Sequence, residues 1–340
     1  MMSEISTKGK QWGVSEQAAK LHDSAFVWDG HGGFAYNGPD DLEELERWKT
    51  SGINLLSLNA TYDVKPWELT IECISKYRHW TRAHADKYIQ VETIDDVHRA
   101  KREGKMALTF DIEGMNALNG DVGMVDFYYR LGARQMLFAY NRNNLAGGGC
   151  HDDDCGLTDF GRQVIREMNR VGMIVDCSHT GYKTAMQAIE ASEAPVIFSH
   201  SNARALCDHE RNIPDDLIKA AAGSGGFVGV TGVAKFLGPN GATVEHLVEH
   251  IDHMVELVGP DHVVISMDSV LLKKGADAPF SRNREYWPES QYPDDGIEGY
   301  VRPEDFPSVT QALLDRGYEE SHILGILGQN YINLATAIWK

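Results

Sequence analysis

The segments VDCSH (175–179) and PVIFSH (195–200) decide the fold. Each is an apolar, β-branched run that ends in a histidine, and a buried strand gains nothing in packing from a polar, metal-binding residue at its end. Such an ending makes sense where a barrel strand delivers a ligand to a site at its carboxyl end. Two such strands in succession indicate the metal centre of a (β/α) barrel.

Six further segments have the same form, a short apolar run closed by polar residues or glycine. The eight predicted strands are 25–31, 53–59, 105–114, 133–141, 172–179, 194–200, 225–232 and 262–268. Amphipathic helical segments separate them, for example 67–85, 159–172 and 246–259. Eight buried strands that alternate with helices predict an α/β fold with a parallel sheet, and eight strands close a TIM barrel. An open, doubly wound sheet is the alternative, but no G-x-G-x-x-G follows the first strand and no P-loop occurs.

Composition restricts the classes of partner. The 340 residues suit a single barrel domain over 1–340, and 42% hydrophobic residues are normal for a globular protein. A net charge of −18 argues against a nucleic-acid partner. The sequence has no apolar stretch that could span a membrane and no signal peptide, so we expect no membrane partner. Five sparse cysteines favour a reducing cytoplasm over a disulfide framework.

The ends of the predicted strands carry the chemistry. Their last polar residues are His31, Glu113, Tyr140, His179, His200 and Asp268. Three imidazoles and a carboxylate suit Zn²⁺ or a similar divalent ion, and a glutamate can bridge two ions. A bound metal makes water a nucleophile near neutral pH. Asp268, after the eighth strand, is placed to take the proton of that water and pass it to a leaving amine.

Other signals have ordinary explanations. A lone histidine at a strand end is more often structural, so the interpretation depends on the whole set. Asp29 and Asp111 lie two positions before His31 and Glu113 and could support them from the same strand faces. HLVEH (246–250) is interpreted as part of a helix whose histidines flank its polar side, and GGGCHDDDCG (147–156) as a loop. Arg211 could bind a substrate carboxylate or form a surface ion pair.

Several long segments resemble the membrane (renal) dipeptidase family of zinc peptidases, in the amidohydrolase superfamily. The resemblance is carried by VWDGH (27–31), the glutamate of DIEG (111–114), 157–179, 195–217 and 250–266. It extends to GILGQNYINL (325–334), so it covers nearly the whole chain. The stretch 157–217 is long and specific.

The resemblance implies a (β/α)₈ barrel with a binuclear metal site and a small-molecule substrate. His31 would bind one ion, Glu113 would bridge, and His179 and His200 would bind the other. It also implies that Arg211 holds the carboxylate of the substrate and that Asp268 is the general acid and base. Members of the family hydrolyse dipeptides, and many form homodimers.

Three departures from the family pattern stand out. The family has His-x-Asp at the end of the first strand, whereas this chain has Gly33 in place of the aspartate, which weakens the site of the outer ion. Tyr140 stands where a substrate-binding histidine is usual, and its hydroxyl could still donate to an oxyanion. Ser269 and Val270 follow Asp268 in place of an aromatic residue and Asp-Gly. The chain is therefore most similar to a divergent bacterial branch.

Three hypotheses follow. The first is a metal-dependent hydrolase of an amide bond in a small, carboxylate-bearing substrate, with Tyr140 assisting catalysis and binding. The second keeps the barrel but uses one ion to act on a non-peptide amide, a lactone or an amine. The third is a catalytically silent binding protein. The polar segment 271–305 is expected to be a lid or a subunit contact.

Overall fold

The strands of the protein follow the predicted order. The computed structural model describes residues 2–33, 42–271 and 283–340. In these residues the strands are β1 Trp28–Gly32, β2 Leu55–Tyr62, β3 Tyr88–Gln90, β4 Met106–Glu113, β5 Ala133–Leu137, β6 Ile174–Asp176, β7 Val196–Ile197, β8 Val228–Val230 and β9 Val263–Ile265. Each of the eight predicted segments overlaps one of them, and β1 and β2 extend one and three residues beyond the predicted ends. The short β3 was not predicted, because three residues are too few to show a periodicity.

Helices fill the connections. They are α1 Met2–Trp12, α2 Glu16–Ser24, α3 Glu46–Thr50, α4 Glu68–Ala83, α5 Ile94–Arg102, α6 Met124–Leu131, α7 Asp159–Val171, α8 Tyr182–Ala191, α9 Asp215–Gly223, α10 Ala234–Leu237, α11 Val244–Val258, α12 Phe306–Asp315, α13 Glu320–Leu324 and α14 Asn330–Ile338. The three predicted helical segments correspond to α4, α7 and α11. No helix in the described ranges is long and apolar enough to cross a membrane.

The strands form a closed parallel barrel. Parallel pairing runs in the order β1, β2, β4, β5, β6, β7, with β3 beside the first half of β4. A parallel bridge between Phe198 and Val228 joins β7 to β8, and β8 pairs with β9. The barrel closes where the amide of Asp268 donates to the carbonyl of His31 (3.1 Å). The predicted (β/α)₈ TIM-barrel class is therefore confirmed.

Apolar packing closes the amino-terminal end of the barrel. The ring of Tyr331, in α14, stacks on Trp28 at a centroid distance of 4.0 Å. The Tyr331 hydroxyl donates to the side chain of Gln135, whose amide in turn donates to the carbonyl of Gly30 (3.0 Å). This end is thus filled by side chains, as in other such barrels, and the polar strand ends gather at the opposite face.

Candidate metal centre

Four strands bring the predicted ligands to one point. His31 lies in β1 and Glu113 ends β4, while His179 and His200 each follow the end of their strand by three residues. All four side chains are buried, with exposed fractions of 6% or less. Because the carboxyl ends of parallel strands meet on one face of the barrel, residues distant in sequence become neighbours.

The four side chains converge on a single oxygen. Glu113 Oε1 lies 3.3 Å from His179 Nε2, 3.3 Å from His200 Nε2 and 3.7 Å from His31 Nε2. The Nε2 atoms of His179 and His200 are 3.0 Å apart. His31, Glu113 and His200 offer three ligand atoms within 4.8 Å of one another.

The opposite nitrogen of each imidazole is held by a hydrogen bond. Three acceptors take the Nδ1 protons: Asp111 Oδ2 from His31 (3.0 Å), Asn141 Oδ1 from His179 (2.6 Å) and Ser199 Oγ from His200 (2.7 Å). The Ser199 hydroxyl can accept because it donates its own proton to Asp176. The Nε2 atoms of His179 and His200 therefore present lone pairs to the centre, and His31 turns its Nε2 to the same point, which is the arrangement of metal-binding histidines.

Electrostatics favour the same state. Burial, followed by the nearby Arg211 or His31 charge, lowers the pKa of His179 and His200 well below the usual value, so both are neutral, ligand-competent imidazoles. Burial would also lower the pKa of His31, but the Asp111 and Glu113 carboxylates outweigh it and raise the pKa. The field at His31 thus favours a positive charge, either a proton or a metal ion.

These residues fit a divalent cation. Two imidazole lone pairs that face each other across 3.0 Å, beside a buried carboxylate, repel one another unless a positive charge lies between them. Neutral imidazoles with carboxylate oxygen are the ligands that Zn²⁺ and similar ions prefer. Among the described residues this is the group of histidine, cysteine and acidic side chains with the spacing of a metal site.

Asn59 is a member of the site that the sequence interpretation missed. Its Nδ2 donates to Asp111 Oδ1 (2.8 Å) and to Glu113 Oε2 (3.2 Å), which leaves Glu113 Oε1 facing the histidines. The predicted second strand ends at this residue, so the rule that selected the other strand ends would have found it. The sequence interpretation also missed Asn141, which holds His179, because the preceding Tyr140 stands at the position of a substrate-binding histidine in the family.

The backbone is unusual at several of these positions. Among the described residues, four that are not glycine have positive φ, and three belong to the centre: Asn141 (62°), His179 (61°) and Asp268 (55°). Such conformations cost free energy and concentrate at functional sites. Here the turn at each strand end directs the side chain to the mouth of the barrel.

Asp268 lies beside the imidazole of His31. Its Oδ1 is 3.4 Å from His31 Nε2, and its side chain is 20% exposed, compared with 5% for Glu113. The structure thus places a carboxylate with access to solvent next to the ligand group. Its assignment as the general acid and base stays a prediction.

Tyr140 forms part of an aromatic wall above the centre. Its ring stacks on His179 at 4.1 Å and packs against Tyr62 and Trp287 at 5.1 and 5.9 Å. Burial, and next the charge of Glu113, raise the pKa of the Tyr140 hydroxyl well above its usual value. The hydroxyl therefore keeps its proton and remains a hydrogen-bond donor, as its predicted role requires.

Arg211 is buried, so the alternative of a surface ion pair is wrong. It is 2% exposed and stands 5.3 Å above the ring of Phe236. Its hydrogen bonds go to two neutral oxygens, Ser201 Oγ (3.3 Å) and the His200 carbonyl (2.9 Å), and its Nε has no partner among the described residues. The adjacent Glu210 pairs with His151 instead (2.8 Å). A buried guanidinium in this state is suited to an anionic ligand.

The Cα–Cβ direction at Gly33 points away from the ligand group. The φ of this glycine is +69°, and a Cβ built on it would lie 2.4 Å from Leu58 Cδ1 and 3.2 Å from Leu56 Cδ2. A side chain at this position would therefore enter an apolar cluster and would not reach the ligands. The sequence departure at position 33 is thus matched by the path of the backbone.

Residues 283–301, called the strap from here on, cover the site. Of the predicted insert 271–305, residues 272–282 lie outside the described residues. The side chain of Asn141 donates to the carbonyl of Tyr286 (2.9 Å), and His209 donates to that of Gln291 (2.9 Å). The strap therefore rests on the loops that follow β5 and β7.

Other candidate signals are structural. The prediction that the histidines of α11 flank its polar side is wrong for His250. This residue is 1% exposed, and its Nδ1 accepts from the Ala203 amide (3.1 Å). In the loop 147–156, Asp154 caps the start of α8 by accepting from the amides of Lys183 (2.6 Å) and Thr184 (3.1 Å). Neither feature belongs to the ligand group.

Known dipeptidases are among the proteins that this chain is similar to. The family model described as membrane dipeptidase (Peptidase family M19) matches residues 53–271. Dipeptidase tcpJ of Claviceps purpurea is 31% identical over 274 residues, which cover 78% of this chain and 59% of that protein. Dipeptidase verJ of Clonostachys rogersoniana is 28% identical over 320 residues, 88% of this chain and 75% of that protein.

A solved structure shows the same architecture. An amidohydrolase from Pseudomonas aeruginosa superposes with a TM-score of 0.85 at 29% sequence identity, covering 95% of this chain and 99% of that one. The likeness thus extends over almost the whole length of both chains. The alignment with the tcpJ dipeptidase spans only 59% of that longer protein, so its activity bears on this chain only through the shared barrel.

Proposed function

Because the chain belongs to the membrane dipeptidase family, Peptidase family M19, we propose that it is a metal-dependent hydrolase that cleaves an amide bond in a small, carboxylate-bearing, dipeptide-like substrate. The observation that carries the proposal is the convergence of three imidazole Nε2 atoms on Glu113 Oε1, at 3.3 to 3.7 Å. His31, Glu113, His179 and His200 would hold a divalent ion such as Zn²⁺, which would supply a Lewis acid and activate water.

The residues of the chain would divide the work. Arg211 would bind the carboxylate of the substrate, since its buried guanidinium makes no ion pair in the described structure and has an unpartnered Nε. That anchor fixes the distance from the carboxylate to the scissile carbonyl. Substrates that lack a carboxylate should therefore bind less well.

Proton transfer falls to Asp268. Its carboxylate is more exposed than Glu113 and lies beside the ligand group, so it can accept a proton from the attacking water at Oδ1 or Oδ2 and return it to the leaving nitrogen. Tyr140 would donate a hydrogen bond to the developing oxyanion, because burial keeps its hydroxyl protonated.

One observation favours a variant of this proposal with a single ion. The position that carries the aspartate ligand in the family is Gly33, and its Cβ direction leads into Leu56 and Leu58. The donors that remain are three histidines, Glu113 and, at 3.4 Å from His31, Asp268. This set supports one well-held ion, which is the ion count of the second hypothesis, and that hypothesis also names a non-peptide amide, a lactone or an amine as the substrate.

Hydrolysis assays test the proposal. Purified protein is incubated with panels of dipeptides and N-acyl amino acids, with and without prior removal of metal by a chelator. We expect metal-dependent turnover that falls at least about 100-fold in Glu113→Gln and His179→Ala. His22→Gln is the matched control, because His22 is equally buried but lies at the far end of the barrel, bonded to Thr310 (2.8 Å). Unchanged turnover in the first two variants would refute the proposal.

The remaining expectations concern cellular context. We propose a cytoplasmic location and a homodimer on the grounds given by the sequence and the family resemblance. Fractionation of cells and light scattering of the purified protein test these two points independently of the reaction.

A further inference from the structure

We propose that Asn141 is a positioning residue that fixes the tautomer of His179 and links this ligand to the strap. The inference rests on the proposed function only in taking His179 as a metal ligand. Two hydrogen bonds of its side chain carry the inference: one from His179 Nδ1 to Asn141 Oδ1 (2.6 Å) and one from Asn141 Nδ2 to the carbonyl of Tyr286 (2.9 Å).

The strap determines the orientation of the Asn141 amide. The Tyr286 carbonyl can only accept, so the amide must turn its NH₂ group toward it. The Oδ1 atom then faces His179 and can only accept, which requires the proton of that imidazole to lie on Nδ1. The lone pair of Nε2 consequently points at Glu113 Oε1 and His200 Nε2, 3.3 and 3.0 Å away.

The backbone holds Asn141 in place for this task. The residue is completely buried with φ at 62°, a conformation that asparagine, aspartate and glycine adopt more readily than other residues. Its carbonyl accepts from the amide of His151 (2.8 Å), and Gly149 packs so closely that a Cβ there would lie 2.2 Å from the Asn141 carbonyl carbon. The amide is therefore presented from a rigid turn.

The two hydrogen bonds of Asn141 therefore connect the strap to the ligand group. Without the amide, His179 could carry its proton on either nitrogen, and in the Nε2–H form it cannot bind a metal through Nε2, the nitrogen that faces the centre. Residues that orient a histidine ligand in this way typically change metal affinity about 10- to 100-fold when removed. A single carbonyl of the strap thus contributes to metal binding without touching the ligand group.

Two substitutions separate the contacts and both suit a positive φ. Asn141→Gly removes the acceptor and the donor, whereas Asn141→Asp keeps an acceptor for His179 and loses only the donor to Tyr286. Gln291→Ala is the control: it removes another hydrogen bond of the strap, from the amide of Glu210 to Gln291 Oε1 (2.9 Å), and this bond involves neither Asn141 nor His179. Affinity for Zn²⁺ is measured on each protein by competition with a chromophoric chelator.

We expect Asn141→Gly to bind Zn²⁺ about 10- to 100-fold more weakly, and Asn141→Asp less than 10-fold more weakly. Gln291→Ala should bind as the wild type does. Hydrogen exchange of the strap amides should rise in both Asn141 variants, since both lose the bond to Tyr286. Wild-type affinity in Asn141→Gly would overturn the proposal, and so would equal losses in Asn141→Gly and Asn141→Asp or a similar loss in Gln291→Ala.

The outcomes distinguish this inference from the proposed function. If the wild type binds Zn²⁺ and Asn141→Gly binds it equally well, the positioning role fails while the hydrolase stands. If the affinities follow the expected order but no amide is hydrolysed, the hydrolase fails while the positioning role stands. A wild type that binds no Zn²⁺ overturns both.

Discussion

Asp111 Oδ2 accepts a hydrogen bond from His31 Nδ1 at 3.0 Å, while Glu113, two residues further along the same strand, faces the opposite nitrogen of that imidazole at 3.7 Å. Alternate residues of a strand share a face, so two carboxylates of β4 face the two ring nitrogens of one histidine. One carboxylate orients the ring and the other shares the centre with it. This division of labour explains why both acids are buried in the barrel.

Asp268→Asn should remove proton transfer without removing the metal. Asparagine has the same shape and tolerates the positive φ of 55° at this position. We expect kcat to fall about 10²- to 10⁴-fold, as is typical when a general acid or base is lost. Steady-state kinetics and elemental analysis of the same preparation check this. A variant with wild-type kcat would show that another group moves the proton.

Arg211→Lys should weaken substrate binding more than it affects folding. Lysine keeps the charge but lacks the planar fork that pairs with a carboxylate at two points. We expect kcat/KM to fall about 10- to 100-fold for substrates with a free carboxylate. The same substrates with an amidated carboxyl end provide the comparison. If both substrate forms lost activity equally, Arg211 would have a structural role only.

Gly33→Asp should not create a second metal site. A side chain at this position is directed into Leu56 and Leu58, so an added carboxylate would be buried among leucines and would destabilise the protein. We expect a lower melting temperature and an unchanged content of about one ion per chain. Gly104→Asp is the matched control, because Gly104 has a similar φ of +67° but open space around its Cβ direction. A rise to two ions would contradict this account.

Acid should destabilise the metal-free protein partly through His22. Burial lowers the pKa of this histidine to about 4 from 6.5. The unfolded chain therefore binds a proton between pH 6.5 and 4 that the folded chain does not, so the stabilising contribution is present above pH 6.5 and is lost as the pH falls through this range. The loss should approach about 3 kcal/mol near pH 4. Urea unfolding of the metal-free protein at a series of pH values should show a shallower pH dependence in His22→Gln, and an identical dependence would exclude the effect.

The sequence predicted the ligand residues of the site better than the residues that hold those ligands in place. His31, Glu113, His179 and His200 were found because each interrupts or ends an apolar strand, a pattern visible in one dimension. Asn59 follows the same pattern, but an amide at a strand end is not by itself a sign of metal binding, because it is a weaker ligand than an imidazole or a carboxylate. Its role depends on a contact with β4 that only the folded barrel brings about.

Other contacts could not be read from sequence. Asn141 meets Tyr286 across 145 positions of the chain, in a strap whose sequence shows no clear periodicity. The burial of Arg211 depends on the packing of Phe236 and the strap around it, and the loop that contains it gives no local sign of this. The path of Gly33 was equally hidden, because glycine permits many backbone conformations and only the neighbouring leucines select one.

The most direct test of the central claim is an anomalous difference map, calculated from crystals of the purified protein grown with Zn²⁺ and measured above and below the zinc absorption edge. We expect the strongest peak of this map to lie within bonding distance of His179 Nε2, His200 Nε2 and Glu113, on the side that faces His31. Peaks confined to the protein surface, with none among these four side chains, would contradict it.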